Sequence, residues 1–301
     1  MMAGMAAQHP LLPHGADFVL TLSCTDTIGI VHAVSGFLVE HGCNIADSAQ
    51  FGDPDTQRFF MRVAFAHVHA PGDRAESVDA LRAAFAPIAQ RFGMAFEIRD
   101  LAVRRRLLIM VSRHGHCLND LLFRYRSGDL PVDIPAIVSN HPDFAALAES
   151  YGVPFHHLPV TAETQAGQER VLLDIVRRER IDLVVLARYM RILAPETTAA
   201  LAGRAINIHH SFLPSFKGAN PYAQAYARGV KLIGATAHYV TSTLDEGPII
   251  EQDVARVDHA ATVADYVAIG RDIECMVLAR AVKVHVAQRV LPNGPRTVVF
   301  R

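Results

Sequence analysis

Hydrophobic and polar positions follow two different patterns along the chain, and the change comes near residue 106. Before it, the apolar residues lie in short segments. DFVLTLSC, CNIADSAQF, RFFMRVAFAHV and MAFEIRDL are typical of strands, whereas IVHAVSGFLVEHG and DRAESVDALRAAFAPIAQRFG place apolar residues at helical spacing. This order predicts a β-α-β-β-α-β domain of the ferredoxin-like type over residues 17–101.

The second pattern consists of near-continuous aliphatic runs. RLLIMVS, VDIPAIVSN and IDLVVLAR have the composition of parallel strands that are buried on both faces. Helical segments accompany them, among them CLNDLLFRYRSG, HPDFAALAESYG and GQERVLLDIVRRER. The alternation predicts a doubly wound, mostly parallel α/β domain over residues 107–301, after a linker over residues 102–106. Near its end we expect one long helix over residues 262–291 and a last strand, RTVVF.

Composition limits the partners and the location of the protein. The chain has 301 residues and a formal net charge of −1, so it has no basic field for nucleic acid or for an anionic membrane surface. Its four scattered cysteines, without a C-x-x-C pair, are typical of a reducing cytoplasm. Residues 1–16 lack the features of a secretory signal and are predicted to be a disordered leader. No apolar stretch approaches the roughly 20 residues that span a bilayer.

Polar residues interrupt the aliphatic pattern at two places. INIHHSFLPSF reads as a strand that ends in polar side chains, and strand alternation puts Asn207 and His209 on one face and His210 on the other. Downstream, ATAHYVTSTLDEGPII carries His238 on a strand and Asp245 in a turn. Taken singly, each fits a structural role, because histidines occur in cores and Asp, Gly and Pro favour turns. Doubly wound sheets bind ligands at the carboxyl ends of their strands, so this segment is the candidate site.

The whole segment from INIHHSFLPSF to LDEGPIIEQD resembles the signature region of the formyltetrahydrofolate-dependent formyl-transfer fold. That fold has a strand ending in Asn-Ile-His, a Ser-(Phe/Leu)-Leu-Pro segment, a Gly, a helix, a strand with a His, and an L-D-x-G-P loop. The resemblance covers Arg106 to about Arg289. It implies a catalytic trio of Asn207, His209 and Asp245. The substrate-binding residues that it implies are Arg188, Tyr189, Met190, Arg191, Ile192, Leu193, His238 and Gly218.

The chemistry of formyl transfer suits this trio. The tetrahedral intermediate carries an anionic oxygen, which N–H donors on Asn207 and His209 can stabilise by roughly 3 kcal/mol each. Asp245 can transfer protons, provided that burial raises its pKa towards neutrality. No Ser or Cys nucleophile is needed, because the nucleophile comes from the second substrate. A metal is disfavoured, since nothing marks a third ligand beside Asn207-x-His209 and one distant Asp.

The formyl acceptor is not given by this resemblance. Relatives that formylate glycinamide ribonucleotide carry a Gly-Ser-Asn-type loop after the first strand, which holds the ribotide phosphate at a helix N-terminus. Here the same position reads VSRHGHCLNDLL, with bulky His114, His116 and Cys117 in place of small residues. Arg113 could still hold an anion, so transfer to the ribotide stays an open alternative.

The first domain favours water as the acceptor. FVLTLSCTDTIGIVHAVSGFLVEHGCNIADSAQF, followed by RFFMRVAF, resembles the ACT domain of formyltetrahydrofolate deformylases. The resemblance implies hydrolysis of 10-formyltetrahydrofolate to formate and tetrahydrofolate without metal or other cofactor. It also implies a role in supplying formate for purine synthesis and in balancing the one-carbon folate pool. The alternative from another class is a non-catalytic ACT protein that senses an amino acid.

The resemblance also implies a regulatory site in the ACT domain. Gly29 opens the first helix and Asn44 enters the second strand, where related modules hold small amino acids. Methionine and glycine are the implied effectors, and the domain is expected to pair with its copy in a dimer or tetramer. A purely structural dimerisation unit is the competing interpretation. The predicted ligand residues are Asp26, Gly29, Ile30 and Asn44, and the departures from the family pattern are Thr25, Thr27, Ile28 and Gln165.

Overall fold

A computed structural model describes residues 15–68, 76–214 and 221–301 of the chain. Most of the predicted leader, residues 1–14, and Gly218 lie outside these ranges. The chain forms two compact units. One takes Met1–Arg104 with Ala287–Asn293 and Val298–Arg301, and the other takes Arg105–Val286 with Gly294–Thr297.

The first unit has the predicted β-α-β-β-α-β order. Its antiparallel four-stranded sheet has the strand order β2-β3-β1-β4. Helix α2 begins where the Ser77 hydroxyl accepts a hydrogen bond from the Ala80 amide at 3.2 Å, an N-terminal cap. The elements are β1 (Phe18–Thr25), α1 (Ile30–Glu40), β2 (Cys43–Asp53), β3 (Arg58–His67), α2 (Val78–Phe92) and β4 (Ala95–Asp100).

The core of this unit lies between its sheet and its two helices. Helix α1 buries Val34 and Phe37, and helix α2 buries Leu81 and Phe85, in each case at the spacing that puts side chains on one helical face. The rings of Phe37 and Phe85 meet edge to face with their centroids 5.0 Å apart. The two amphipathic segments of the sequence are therefore helices, as predicted.

The second unit is built on a seven-stranded sheet with the order β11-β10-β9-β8-β5-β6-β7. Five strands are parallel, and β10 and β11 are antiparallel to their neighbours, which confirms the predicted mostly parallel α/β fold. Its elements are β5 (Arg105–Val111), α3 (His116–Ser127), β6 (Val132–Ser139), α4 (Ala145–Ser150), β7 (Phe155–His157), α5 (Gln165–Arg178), β8 (Leu183–Leu186), α6 (Pro195–Ala200), β9 (Ala205–His209), α7 (Pro221–Ala227), β10 (Leu232–Tyr239), β11 (Ile249–Arg256) and α8 (Val263–Val286).

The strand order reverses at the centre of this sheet. From β5 the chain runs outward through β6 and β7, and it then returns to add β8 and β9 on the other side of β5. The carboxyl ends of β5 and β8 therefore flank the point where doubly wound sheets open a crevice for ligands. The loops that leave these two strands begin at Ser112 and Ala187.

The end of the chain differs from the prediction. The long helix was expected over residues 262–291, but α8 ends at Val286, and Gln288 takes a left-handed conformation with φ 53°. The strands β12 (Val290–Asn293) and β13 (Arg296–Val299) follow, the second of which is the predicted RTVVF strand. Within the first unit, Leu291 and Phe300 pack against Phe60. The predicted domain over residues 107–301 thus differs from the compact unit at its C-terminal end.

No helix in residues 15–68, 76–214 or 221–301 is long and apolar enough to cross a membrane.

Candidate active site

A cavity of about 590 Å³ opens at the switch point of the second unit's sheet. Its walls come from the loops after β5 and β8, from the end of β9, from the turn that follows β10, and from α8. The residues of these walls include His114, His116, Arg188–Leu193, Asn207, His209, His210, Tyr222, His238, Asp245 and Glu274.

The structure brings Asn207, His209, Asp245 and His238 together. Antiparallel pairing places Asn207 opposite His238 and His209 opposite Thr236. The Asp245 Oδ1 atom lies 3.1 Å from His209 Nδ1 and 3.8 Å from His238 Nε2. Three side chains from β9 and β10 and one from the following turn therefore form one polar cluster.

The turn that carries Asp245 depends on a close backbone approach. Asp245 itself has φ 56°, a left-handed conformation that Asp tolerates better than most residues. Two residues later, a Cβ atom on Gly247 would lie 1.7 Å from the carbonyl oxygen of Tyr239. Only glycine allows this approach. In the same turn, the Tyr239 amide donates to the Pro248 carbonyl at 2.9 Å. The glycine of the LDEGP sequence thus allows the turn to pack closely against the end of β10.

The tautomer of His238 follows from its contacts. Its Nδ1 atom lies 2.9 Å from the Tyr239 carbonyl oxygen, which can only accept, so Nδ1 carries the hydrogen. Burial lowers the pKa of His238, so its ring is neutral near pH 7. The Nε2 atom is then an acceptor, and the Asn207 side-chain amide donates to it at 3.3 Å. This contact fixes which way the Asn207 amide faces.

The electrostatics of Asp245 overturn one prediction. Burial raises its pKa, but the hydrogen bond from His209 and the neighbouring imidazoles bring the pKa below the ordinary value of an aspartic acid. The predicted rise towards neutrality is therefore wrong. An ionised Asp245 accepts the hydrogen of His209 Nδ1. His209 is 5% exposed, and its Nε2 atom has no hydrogen-bond partner in the part of the chain that the structure describes.

The predicted substrate loop, Arg188–Leu193, lines the cavity throughout. Its side chains differ in burial, since Tyr189 and Leu193 belong to the core while Met190 and Ile192 are more than half exposed. The loop is tied down by the Met190 amide, which donates to the Ser112 hydroxyl at 3.0 Å. Gln165, a departure from the family pattern, donates to the Ile192 carbonyl at 2.9 Å and thereby holds the loop.

A second polar cluster, which the sequence did not predict, lies in the same cavity. Glu274 on α8 is 1% exposed, and it accepts hydrogen bonds from the Tyr222 hydroxyl at 2.7 Å and from His116 Nε2 at 2.8 Å. The Arg188 Nε atom forms an ion pair with it at 3.3 Å. Burial raises the pKa of Glu274, but His116 and Arg188 outweigh burial and lower it overall. Glu274 is therefore an ionised carboxylate inside the protein.

One signal in the sequence could have revealed Glu274. It shares the buried face of α8 with Gly270, Val277 and Ala281, at the spacing of one helical face. An acidic residue within an apolar face is unusual unless it has partners. Gly270 is small because Tyr222 packs against it, and a Cβ atom there would lie 2.1 Å from the tyrosine ring.

His210 does not point away from the site as strand alternation predicted. Strand β9 ends at His209, so the alternation no longer applies to the next residue. The His210 ring lines the cavity, with its centroid 5.3 Å from that of His209 and 6.1 Å from that of Tyr222. Burial, together with the charge of Arg188, lowers the pKa of His210 to about 3. Its imidazole is therefore a neutral wall of the cavity.

His116, Cys117 and Glu274 form the one group with metal-ligand atoms that lie within 4.8 Å of one another, among the residues described. Glu274 already holds the cationic Arg188. The hydrogen bond with Cys275 and burial raise the pKa of the Cys117 thiol well above its usual value, so it is not a thiolate ligand. The cluster does not fit a metal ion, and the expected absence of a cofactor stays a prediction.

The predicted effector residues of the first unit lie in two places. Asp26, Gly29 and Ile30 follow the end of β1, and Asp26 lies against Gly52 near the end of β2. Asn44 is at the start of β2, opposite Ala66. Because a strand rises about 3.3 Å per residue, Asn44 lies roughly 26 Å from Gly52 along β2. Within one chain these residues do not form one site.

Comparisons with known proteins agree with this geometry. The model of the formyl transferase family matches residues 105–282. A formyltetrahydrofolate deformylase of Corynebacterium sp. (strain P-1) is 51% identical over 283 residues, which are 94% of this chain and 98% of the relative.

The solved structures of a deformylase and of a transferase match different shares of this chain. The crystal structure of a Burkholderia mallei formyltetrahydrofolate deformylase is 57% identical, with a TM-score of 0.89 over 95% of this chain and 100% of that one. The glycinamide ribonucleotide transformylase 1 of Symbiobacterium toebii is 30% identical, with a TM-score of 0.63 over 66% of this chain and 95% of that one. The likeness to the deformylase thus extends over both units.

Proposed function

The chain belongs to the family of formyltetrahydrofolate deformylases, and we propose that it hydrolyses 10-formyltetrahydrofolate to formate and tetrahydrofolate. The observation that carries the mechanism is the pairing of His209 Nδ1 with the ionised Asp245 at 3.1 Å. Among the described residues His209 Nε2 has no hydrogen-bond partner, and it lines the same cavity as Asn207. The cluster can therefore move one proton and stabilise one anionic oxygen, which are the two needs of hydrolysis.

The first step is the attack of water on the formyl carbon. His209 Nε2 accepts the proton that water loses, while Asp245 holds the hydrogen on Nδ1 and stabilises the imidazolium. A carboxylate with a lowered pKa is itself a weak base for water, so the imidazole acts as the base in place of Asp245. The new C–O bond turns the formyl oxygen into an oxyanion. The Asn207 amide and the His209 imidazolium are the donors that stabilise it.

The second step breaks the bond between the formyl carbon and N10. The imidazolium of His209 returns its proton to N10 as the C–N bond breaks, so tetrahydrofolate leaves as a neutral amine. The remaining HCOOH loses its proton to solvent and leaves as formate. His209 and Asp245 return to their starting protonation, and no covalent bond to the protein forms.

Water as the acceptor is supported by how the first loop is packed. A Cβ atom on Gly115 would lie 2.3 Å from the Phe144 ring, so that ring closes over the loop after β5. Nearby, His116 Nε2 is hydrogen-bonded to Glu274 at 2.8 Å and is therefore not available to a phosphate. An anionic ribotide acceptor thus lacks the phosphate-binding loop that it needs, whereas water does not need one.

For the folate, we place the pteridine ring against the backbone of Arg188–Leu193. Support comes from the position of this loop at the switch point and from its anchors at Ser112 and Gln165. A crystal structure with a folate analogue tests the placement. An analogue bound without contact to the loop contradicts it.

We assign the first unit as an ACT domain that regulates the enzyme. We propose that it pairs with its copy in a dimer or tetramer. The separation of Asn44 from Asp26 supports a site completed by a second chain, since a small amino acid cannot span it. Methionine and glycine are the proposed effectors. Activity and thermal stability that stay constant with millimolar amounts of both would leave only a structural role. The cytoplasmic location predicted from the cysteine pattern belongs to the same proposal.

One assay tests the activity. The purified protein is given 10-formyltetrahydrofolate with and without glycinamide ribonucleotide, and formate and formylated ribotide are measured separately. We expect formate at the same rate in both mixtures. Formylated ribotide as the main product would establish a transferase. No reaction in either mixture, with effectors bound by the first unit, would establish the amino-acid sensor.

A further inference from the structure

Arg188 occupies a position that its backbone disfavours. Its φ of 65° lies in the left-handed region, which glycine adopts readily and an arginine rarely does. The side chain is nevertheless buried, with 8% of the residue exposed, and it lines the cavity. A strained backbone that carries a buried cation at a ligand cavity indicates that the cation has a function.

The partners of Arg188 do not use all of its donors. Its Nε atom lies 3.3 Å from Glu274 Oε2 in an ion pair that lacks hydrogen-bond geometry, and its Nη1 atom has no partner among the described residues. Glu274 is shared with His116 and Tyr222, which occupy both of its oxygens. The guanidinium is thus only partly compensated, and a buried donor without an acceptor is costly.

Resting on the proposed function, we propose that the Arg188 guanidinium is the binding site of the formate product. Formate is a planar monocarboxylate, which the fork of guanidinium N–H groups matches in shape and charge. It is released in the same cavity when the C–N bond breaks. Its retention there makes formate an inhibitor of its own production.

The glutamate carboxylates of the folate are the competing ligands for Arg188. They lie at the far end of a long substrate whose reacting end must reach His209. The exposed Arg191, in the same loop, suits that solvent-facing tail better than Arg188, which is buried beside His210. The small product is therefore the ligand that fits the buried guanidinium.

Binding is tested with sodium formate and the full-length protein. Saturation-transfer NMR of the formate proton, against sodium chloride at matched ionic strength, measures affinity, and initial rates with added formate give an inhibition constant. Arg188→Met is expected to weaken formate binding and inhibition by roughly 10- to 100-fold, the effect of losing a charge-assisted hydrogen bond. Arg188→Lys keeps the positive charge but loses the forked guanidinium, so its formate affinity is expected to lie between those of the wild type and Arg188→Met. Arg170→Met, a change at an exposed arginine of α5 that does not line the cavity, is the matched control with wild-type formate affinity.

A second readout does not depend on the variants folding. In the wild-type protein, formate is expected to shift the ring resonances of His210, whereas chloride is not. Unchanged His210 resonances, or an Arg188→Met variant that binds formate as tightly as the wild type, overturns the proposal. Hydrolysis without any formate binding contradicts this inference alone. Formate binding at Arg188 without hydrolysis supports the site and contradicts the proposed activity.

Discussion

Two carboxylates, the half-buried Asp245 and the buried Glu274, face the same cavity, and they differ in the group that each leaves available. Asp245 pairs with the imidazole of His209, and the pair presents a nitrogen that can accept and return a proton. Glu274 pairs with the guanidinium of Arg188, which offers N–H donors and no acceptor. One pair therefore suits a reaction step and the other suits the holding of an anion.

The comparison shows that the partner of each carboxylate, more than its burial, decides what the carboxylate does here. Burial raises the pKa of both Asp245 and Glu274, and in both cases the neighbouring donors outweigh it. Both carboxylates are therefore ionised near pH 7. The function of each lies in the cationic or basic group beside it.

Asp245→Asn breaks the first pair and should have the largest effect. An asparagine that turns its amide N–H towards His209 forces the ring hydrogen onto Nε2, which can then no longer accept a proton from water. We expect kcat to fall by about 100- to 10,000-fold with folate affinity preserved. His209→Ala should be equally severe. Stopped-flow assays of formate release and binding of a folate analogue measure both quantities.

The control for this prediction is Asp253→Asn, the same change on β11 outside the cavity, where Asp253 pairs with Arg280 at 2.7 Å. Its turnover should match the wild type. Near wild-type turnover of Asp245→Asn with normal folate binding would falsify the role of the pair, and Asp245 would then be only a turn residue.

Glu274→Gln breaks the second pair. The change keeps the shape of the side chain but leaves Arg188 as an uncompensated buried charge, so we expect a loss of about 3 kcal/mol in the free energy of unfolding. Formate should bind several-fold more tightly, because the guanidinium is no longer shared. Urea denaturation and formate titration measure the two effects.

A double-mutant cycle isolates the Glu274 pair. Arg188→Met in the Glu274→Gln background should recover part of the lost stability, since both charges are then gone. Strictly additive losses of stability would show that the two residues do not act as a pair.

Gly247→Ala tests how the first pair is positioned. The new Cβ atom must move away from the Tyr239 carbonyl, which it would meet at 1.7 Å, so the turn that carries Asp245 shifts. We expect a loss of about 1–3 kcal/mol in stability and a lower kcat. Gly167→Ala is the control, because a Cβ atom on this helical glycine meets only the far end of Arg170 at 3.9 Å. Thermal unfolding and kcat are measured for both, and equal stability and kcat of the two variants would show that Gly247 does not position Asp245.

Features of the fold and of the site that depend on residues close together in the sequence could be predicted. Features that depend on residues far apart in the sequence could not. Periodicity identified the two helices of the first unit and the buried strands of the second, because those patterns are local. It placed the end of α8 too late, since the left-handed turn at Gln288 has no marked local signal. The segment around Asn207 and Asp245 was found through its family motif, and the structure then brought these residues together.

The second cluster was not predicted from the sequence because its members come from distant parts of the chain. His116, Arg188, Tyr222 and Glu274 lie on four different elements or loops, and each alone reads as an ordinary polar residue. The direction of the Asp245 pKa was missed for the same reason. Burial could be anticipated from the sequence, but the number of imidazoles around the carboxylate could not.

His210 lies between the two pairs, and its effect should appear only when stability is measured as a function of pH. Its pKa falls from an ordinary 6.5 to about 3 on folding, through burial and the charge of Arg188. Between these values the unfolded chain binds more protons than the native protein, so stability falls as pH drops below about 6.5. The slope from this residue is at most about 1.4 kcal/mol per pH unit. His210→Gln should flatten the decline between pH 6 and roughly pH 4 in urea denaturation, whereas replacing the exposed His259 should not. An identical slope in His210→Gln and wild type would mean that His210 gains its proton in the native state, which contradicts its assignment as a neutral wall of the cavity.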